Sequence, residues 1–272
     1  MNMFRRWLWY SCVISVTAVL AASPVIPASA AERILVGRIT LVEGQLLRFV
    51  PTEKDWVATV KDAPFGREDA LYSDQNGKAE FILPNNTWIR IGGNTQLQLI
   101  ALKTDVTEVD VASGLARFYN RSSNVLVKAT TPFGYVVAQP GSTFDLYVGD
   151  QSVEVIALKG TVTFIHAGDN AKYEVVPGSP SIIADARQVG AGESNVDADW
   201  DDWNASRDTL WTKRVSVKGD SVKYLPPEMQ DQAYDLEENG RWESVNQDHP
   251  SNDNKNRTGL DEFGGSLSRS AF

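Results

Sequence analysis

The sequence predicts an all-β fold: an antiparallel sandwich or roll, or a short β-solenoid, of about 12–14 strands, followed by a short C-terminal helix and a disordered tail. Two observations predict it. From Arg33 to about Ile183, runs rich in Val, Ile, Leu, Thr and Phe alternate with Gly, Asn and Asp turns, at a spacing of about ten residues. After Gly190 the composition changes to a segment rich in aspartate and tryptophan with helical spacing.

Residues 1–30 have the pattern of a secretory signal peptide. Arg5 and Arg6 form a basic start, Trp7–Ala22 is apolar, and Ala28–Ala30 is a cleavage site of small residues. The apolar run is shorter than the ~20 residues that span a bilayer, which disfavours the alternative of a retained anchor. We therefore expect a periplasmic or secreted protein that does not span the membrane after cleavage.

Charge and cysteine content exclude several classes of function. Loss of residues 1–30 removes two arginines and no acid, so the net charge moves from -9 to -11, which argues against a nucleic-acid partner. The only cysteine, Cys12, lies in that segment, so the mature chain has no disulfide, cysteine metal ligand or cysteine nucleophile. GAGES (Gly190–Ser194) lacks the lysine of a phosphate-binding loop, and we expect no cofactor.

The β domain is predicted to span residues 31–189, and Ser142–His166 is its clearest part. Alternating apolar residues predict a strand up to Val148, and Gly149-Asp150 suits a two-residue hairpin turn. Lys159-Gly160 turns the chain again before another strand. The pattern predicts a three-stranded antiparallel meander.

Glycines mark further turns in the β domain. Asn76-Gly77 predicts a hairpin between Ala70–Ser73 and Lys78–Leu83. Three similar segments, VEGQLLRF, ASGLARFY and LKGTVTFI, each place a glycine between two strand-like runs. These glycines are Gly44, Gly114 and Gly160. Their separations differ, so the sequence does not indicate a regular repeat array.

Residues 190–245 are predicted to form a linker, an amphipathic helix and an aromatic island, and residues 246–272 a disordered tail. Aspartates crowd the start of the helix, and Lys213 and Arg214 lie near its end, as the helix dipole prefers. The aromatic residues of this region are candidate binding residues that could stack on sugar rings: Trp200, Trp203, Trp211 and Trp242. The favoured alternative is that the helix packs its tryptophans against the protein's own sheet.

A weak metal candidate overlaps the start of this helix. Asp197, Asp199 and Asp201 occupy positions one, three and five of a pattern resembling a calcium loop, with Asp208 at position twelve. Position six is Asp202 where the loop needs glycine, and position twelve lacks the usual glutamate. Capping of the helix explains the same acids, so we expect no metal.

Catalytic patterns are weak throughout. His166 is the only histidine in the predicted folded part, and no G-x-S-x-G motif supports a serine triad around it. Acidic residues that could form a glycosidase pair mostly fall at turns or on polar strand faces. We therefore expect a protein that is not an enzyme.

The segment from about Val36 to Val176 resembles the FecR-type periplasmic β domain. Thr131-Pro132 matches the start of a strand in that family, Gly141 and Phe144 match the following glycine and phenylalanine, and Gly160 matches a turn between two valine-rich strands. The family's Gly-Thr-x-Phe is displaced here by one residue. After Gly190, the W-x-x-W-x-x-x-R-D pattern resembles extensions found on some exported proteins with this domain.

The resemblance implies a binding role in the cell envelope. FecR-type regulators carry a cytosolic anti-sigma segment and one membrane helix, whereas this sequence begins with a cleavable signal, so we do not expect transmembrane control of a sigma factor. We expect a non-catalytic exported protein that contacts an envelope protein or a cell-wall polymer. The alternatives are a carbohydrate- or peptidoglycan-binding module that uses the C-terminal tryptophans, and a FecR-type signalling regulator lacking its cytosolic part.

Overall fold

A computed structural model describes residues 34–225, 233–244 and 267–271, and every element below lies in the compact unit Leu35–Phe272. The predicted signal peptide, residues 1–30, lies outside the described residues. The strands are β1 (Gly37–Glu43), β2 (Leu46–Val50), β3 (Asp55–Ala58), β4 (Pro64–Phe65), β5 (Ala70–Ser73), β6 (Lys78–Ile82), β7 (Thr87–Ile91), β8 (Gln96–Leu102), β9 (Val106–Asn120), β10 (Leu126–Thr131), β11 (Gly134–Ala138), β12 (Thr143–Val148), β13 (Val153–Lys159), β14 (Val162–His166), β15 (Lys172–Val175), β16 (Ile182–Ala184), β17 (Val189–Ala191), β18 (Gly240–Ser244) and β19 (Leu267–Ala271). The helices are α1 (Ala198–Val215), α2 (Asp220–Tyr224) and α3 (Ala233–Asn239).

Within the described residues, strands β1–β17 form one connected, mixed and open sheet that folds into two layers. Sheet A has the order β4-β1-β6-β7-β9-β12-β13-β16-β17, and sheet B has the order β3-β2-β5-β8-β9-β10-β11-β14-β15. The long strand β9 belongs to both, because its first half pairs in sheet B and its second half in sheet A. The strands outnumber the expected 12–14 because short strands such as β4 and β16 carry little pattern.

The second half of the chain builds both layers by adding hairpins alternately. The hairpins β10–β11 and β14–β15 extend sheet B, and the hairpins β12–β13 and β16–β17 extend sheet A. Each hairpin pairs with the previous hairpin of the same sheet, through β11–β14 and β13–β16. The fold is thus a sandwich in cross-section, and it grows along its length by successive hairpins.

Glycines mark the places where the chain changes sheet. Positive φ angles occur at Gly44, Gly114, Gly141, Gly160 and Gly178, and each of these lies between a segment of one sheet and a segment of the other. A side chain disfavours this backbone region. The pattern explains why three similar glycine segments occur in the sequence: each turns a corner of the sandwich.

The predicted meander and one predicted hairpin are therefore wrong. β14 follows β13 but pairs with β11 and β15 in sheet B, because the chain crosses at Gly160. Asn76-Gly77 likewise connects β5 of sheet B with β6 of sheet A. The β12–β13 hairpin does form, but its turn is not centred on Gly149-Asp150: residues 149–152 lie between the strands, and the Gly149 N–H donates to the Ser152 carbonyl at 2.9 Å.

A single apolar core lies between the sheets. It contains side chains of both layers, including Phe81 and Phe144 from sheet A and Leu71 and Phe164 from sheet B. Phe144 stacks on Phe118, with ring centroids 5.0 Å apart. Because no thiol is available for cross-linking in the predicted mature chain, burial of this core supplies the main driving force for folding.

Beyond the sandwich, the predicted helix is confirmed as α1. The side chain of Asp197 accepts the Trp200 N–H at 2.8 Å and caps its start, and Lys213 and Arg214 lie in its last turn. β18 pairs with β19, so Leu267–Ala271 of the predicted tail is a strand, and the rest of that tail lies outside the described residues. None of the described helices has the length and apolar character needed to cross a membrane.

The corner at Gly114 gives a test of the fold. A Cβ atom at Gly114 would lie 2.4 Å from the Thr95 Cα atom, in addition to its φ of +93°. Gly114→Ala is expected to lower the free energy of unfolding by at least about 3 kcal/mol, from strain and steric overlap together.

The matched control is Gly141→Ala, since Gly141 also has a positive φ, +82°, but no atom within 4 Å of its Cβ position. It is expected to cost only about 1 kcal/mol. Denaturant titrations of both variants measure the difference, and equal losses would contradict the proposed corner.

Candidate functional site

Four charged residues form a row on the outer face of sheet A. Glu80 of β6 stands opposite Arg90 of β7, Arg90 opposite Arg117 of β9, and Arg117 opposite Asp145 of β12. All four are buried. We call these residues the charge row.

Strand alternation places the charge row opposite the core. Each charged residue stands between two core residues of its own strand, so its side chain points to the other face of the sheet. These flanking residues are Ala79, Phe81, Ile89, Ile91, Ala116, Phe118, Phe144 and Leu146. On an open sheet the row would contact water, but α1 covers it.

The Glu80 carboxylate stands at one end of the row and accepts four side-chain hydrogen bonds. Arg90 Nε donates at 2.8 Å, Arg207 Nη2 at 2.6 Å, Trp211 Nε1 at 2.7 Å and Thr40 Oγ1 at 2.8 Å. Burial by itself raises the pKa of Glu80, but the bonds and charges of Arg207 and Arg90 outweigh it and hold that pKa below its ordinary value. Glu80 is therefore an ionised, fully occupied acceptor.

Arg90 joins the row to the middle of α1. Its Nη1 atom donates to the Tyr119 hydroxyl at 2.7 Å and to the Asn204 carbonyl at 3.0 Å, and its Nη2 atom donates to Asp208 at 2.8 Å. Burial raises the pKa of Tyr119 to about 12, so its hydroxyl keeps its proton and donates to Asn204 Oδ1 at 3.2 Å. Arg90 thus fixes the helix through both backbone and side-chain acceptors.

Arg117 repeats this arrangement near the start of α1. It forms a two-pronged pair with Asp145, at 2.7 and 2.8 Å, and its Nη1 atom donates to Asp201 at 2.9 Å. Burial opposes the charge on Arg117, but the bonds to Asp145 outweigh it and raise the pKa of the guanidinium. The guanidinium also lies 5.7 Å from the centre of the Trp200 ring.

The four candidate tryptophans do not form one platform. Trp200 and Trp211 are buried residues of α1, and Trp211 packs against Trp88 of β7 with ring centroids 4.8 Å apart. Trp203 is half-buried, stacks on Trp200 at 5.4 Å and donates to Glu43 at 3.0 Å. Trp242 lies in β18, and its side chain is outside the described part of the structure. For Trp200 and Trp211 the structure shows the docked arrangement.

The three candidate metal ligands have separate positions. Asp197 caps α1, Asp201 pairs with Arg117, and Asp199 is exposed in the first turn. Among residues 34–225, 233–244 and 267–271, no group of three or more histidine, cysteine, aspartate or glutamate residues is placed to hold a metal ion.

His166 is a buried structural residue at the end of β14. Its Nδ1 atom lies 2.9 Å from the Asp169 carboxylate, and its Nε2 atom lies 2.9 Å from the Asp185 carbonyl. Both partners are acceptors, so a doubly protonated ring satisfies both contacts. The bond to the Asp185 carbonyl and the bond to Asp169 raise the pKa of His166.

The family-motif residues form turns and core. Thr131 ends β10, and its Oγ1 atom donates to the Gly134 carbonyl at 2.9 Å across the turn that contains Pro132. Phe144 is fully buried. Gly141 and Gly160 turn two corners of the sandwich, as described above.

Sequence reasoning missed the charge row itself. The signal was present as one charged residue between apolar neighbours in each of four strands: AEF, IRI, ARF and FDL. Such a residue is ordinarily assigned to a solvated face, and the pairing of the strands is needed to see that all four stand in one line. Chemically, the row holds a helix in place, because each of its side chains is already bonded to another.

Comparison with known proteins supports the resemblance over part of the chain. Residues 69–163, which contain the whole charge row, match the family described as FecR protein. Two crystal structures of a protein from Parabacteroides distasonis ATCC 8503, provisionally described as an anti-sigma factor, are similar at 16% identity and a TM-score of 0.39. The match covers 53% of this chain and 63% or 64% of that one, so this chain spans less than two thirds of it. No curated protein matches.

Substitution of Glu80 is the most direct test of the contact between α1 and sheet A. Glu80→Gln breaks two buried ion pairs, and we expect it to lower the free energy of unfolding by about 3–5 kcal/mol at pH 7. Because the pKa of Glu80 is lowered in the folded state, its contribution is present above its ordinary pKa of 4.5 and is lost as the pH falls through the folded value. Denaturant titrations at several pH values should show that the free energy of unfolding falls less in the variant than in the wild type as the pH is lowered.

The control is Asp199→Asn, which alters an exposed aspartate of the same helix and should change stability little. Equal stability of Glu80→Gln and the wild type would contradict the role assigned to Glu80.

His166 predicts a pH effect of the opposite sign. Since its pKa is raised by folding, its contribution is fully present below the unfolded pKa of 6.5 and is lost as the pH rises through the folded value. His166→Gln should remove this decline of stability with rising pH. Thermal melts across that window measure it, and His249→Gln, at the only other histidine, serves as control. An unchanged pH profile in His166→Gln would contradict the assignment.

Proposed function

We propose that the chain is a non-catalytic, FecR-type interaction protein that is exported to the cell envelope and binds its partner on the outer face of sheet B. Export rests on the signal-peptide pattern of residues 1–30. The binding role rests on the FecR match and on a difference between the two outer faces of the sandwich.

The difference between the faces is the observation that carries the proposal. On sheet A, the central residues Glu80 and Arg90 are completely buried beneath α1. On sheet B, the corresponding central row consists of partly exposed side chains. Its members, each opposite the next on neighbouring strands, are Ala70, Gln98, Asp110, Thr130 and Tyr135. A partner can reach this second face without displacing any part of the described chain.

The buried polar groups support a non-catalytic role. Within the described residues, the charge row, Tyr119 and His166 are the buried ionisable groups with the most partners, and their hydrogen bonds hold one element of the fold to another. A catalytic acid or base instead needs to face a substrate.

A signalling regulator of FecR type is the second candidate, favoured by the match at residues 69–163. It would use the same face of sheet B, with a membrane-associated protein as its partner. Identification of the bound protein distinguishes it from a wall-binding module.

The experiment measures how much of the chain the envelope of the producing cells retains. Cells producing the full chain are fractionated, and the share of the protein that sediments with the envelope is measured. Thr130→Arg places a long charged side chain at the centre of the sheet B face, where Thr130 is partly exposed, and should reduce that share severalfold.

Thr209→Arg, at an exposed position on α1, is the matched control and should leave the share unchanged. Equal retention of wild type and both variants would contradict the proposed face. The melting temperature of each variant shows whether the substitution has affected folding.

A further inference from the structure

Three aromatic rings lie together on the outer face of sheet B, near its edge strand β3. Phe49 of β2 stands opposite Trp56 of β3 with ring centroids 5.5 Å apart, and Trp56 lies 6.3 Å from Tyr72 of β5. The neighbours Leu46 and Leu71 point into the core, so alternation places the three rings on the outside. All three are partly exposed. We call Phe49, Trp56 and Tyr72 the aromatic patch.

Polar side chains continue the surface from the aromatic patch. Gln96 of β8 stands opposite Tyr72, and Gln98 lies two residues further along the same face. Asp110 of β9 stands opposite Gln98 and is also partly exposed. The amide of Gln96 therefore lies beside the rings, and further donors and acceptors of hydrogen bonds follow along the same face.

This combination selects the chemistry of the ligand. Aromatic rings pack against apolar C–H surfaces, and the neighbouring amides bond hydroxyl groups. The patch and its polar neighbours carry no cationic side chain, and the chain has a net charge of -9, so polyanions are repelled. We infer that the aromatic patch binds a neutral oligosaccharide chain, whose sugar rings offer a C–H face together with hydroxyl groups. This inference rests on the proposed function and names its ligand class.

Strand addition by a protein partner fits the same edge less well. β3 has only four residues, and its Trp56 N–H already donates to the Asp55 carboxylate at 2.8 Å. Charged residues and a short length are the ordinary ways in which an edge strand is protected from pairing. A peptide would find few backbone groups to bond along β3, whereas a sugar chain needs the faces of the rings.

The test uses an array of neutral oligosaccharides that includes linear hexose and N-acetylhexosamine polymers, followed by calorimetric titration of the best binder. Trp56→Ala should weaken binding by about tenfold, which corresponds to about 1.4 kcal/mol. Trp56→Phe should retain most of the affinity because a ring remains. Gln96→Ala, which leaves the rings in place, should weaken binding as well.

Trp203→Ala is the matched control, because Trp203 is also half-buried but belongs to α1 on sheet A, and it should bind like the wild type. Absence of any binder on the array, or unchanged binding by both Trp56→Ala and Gln96→Ala, would overturn the inference. If no oligosaccharide binds while envelope retention still depends on Thr130, the proposed function stands with a protein partner. If retention is independent of Thr130, the proposed function itself fails.

Discussion

The position of α1 on the sandwich depends on the carboxylate of Glu80, which four donors hold out of contact with water. Two of those donors, Arg207 and Trp211, come from the helix, and the other two come from strands on either side of β6. A buried carboxylate without such partners would be strongly unfavourable, so Glu80 needs the donors of both the helix and the sheet. Because Glu80 also aligns Arg90, its bonds extend indirectly to Asn204 and Asp208 along α1.

The charges determine where the helix lies more than how stable it is. Removing ions from water offsets much of the energy of a buried pair, and apolar substitutes often stabilise a protein equally well. The favourable burial comes from Trp211 against Trp88. The pattern of charges, however, fits only one register: Arg90 and Arg117 stand side by side on the sheet, and α1 presents Asp201 and Asp208 two turns apart to pair with them. A helix displaced by one turn would place these carboxylates away from both guanidinium groups.

Local pattern was sufficient to predict the longer strands and α1, because alternation and helical spacing depend on neighbours in sequence. It failed at Gly160 and at Asn76-Gly77, where a turn inside a sheet and a corner between sheets use the same residue types. The charge row required more still, since its order depends on which strands pair, and its four members span 65 residues of sequence, from Glu80 to Asp145. The aromatic patch was missed for the same reason: Phe49, Trp56 and Tyr72 lie on three strands, and attention fell on the tryptophans of α1.

Strand β9 contributes to both outer faces of the sandwich: the face of sheet A, which α1 covers, and the face of sheet B, which is partly exposed. Arg117, in its second half, belongs to the charge row, and Asp110, in its first half, lies on the outer face of sheet B. The strand pairs with β7, β8, β10 and β12, so both faces share one extensively bonded element. A surface built on such a strand is ordered before any partner arrives, and a preorganised surface loses little conformational entropy on binding. Closing sheet A with the chain's own helix would therefore favour the binding proposed for sheet B, because it helps hold the shared strand in a single conformation.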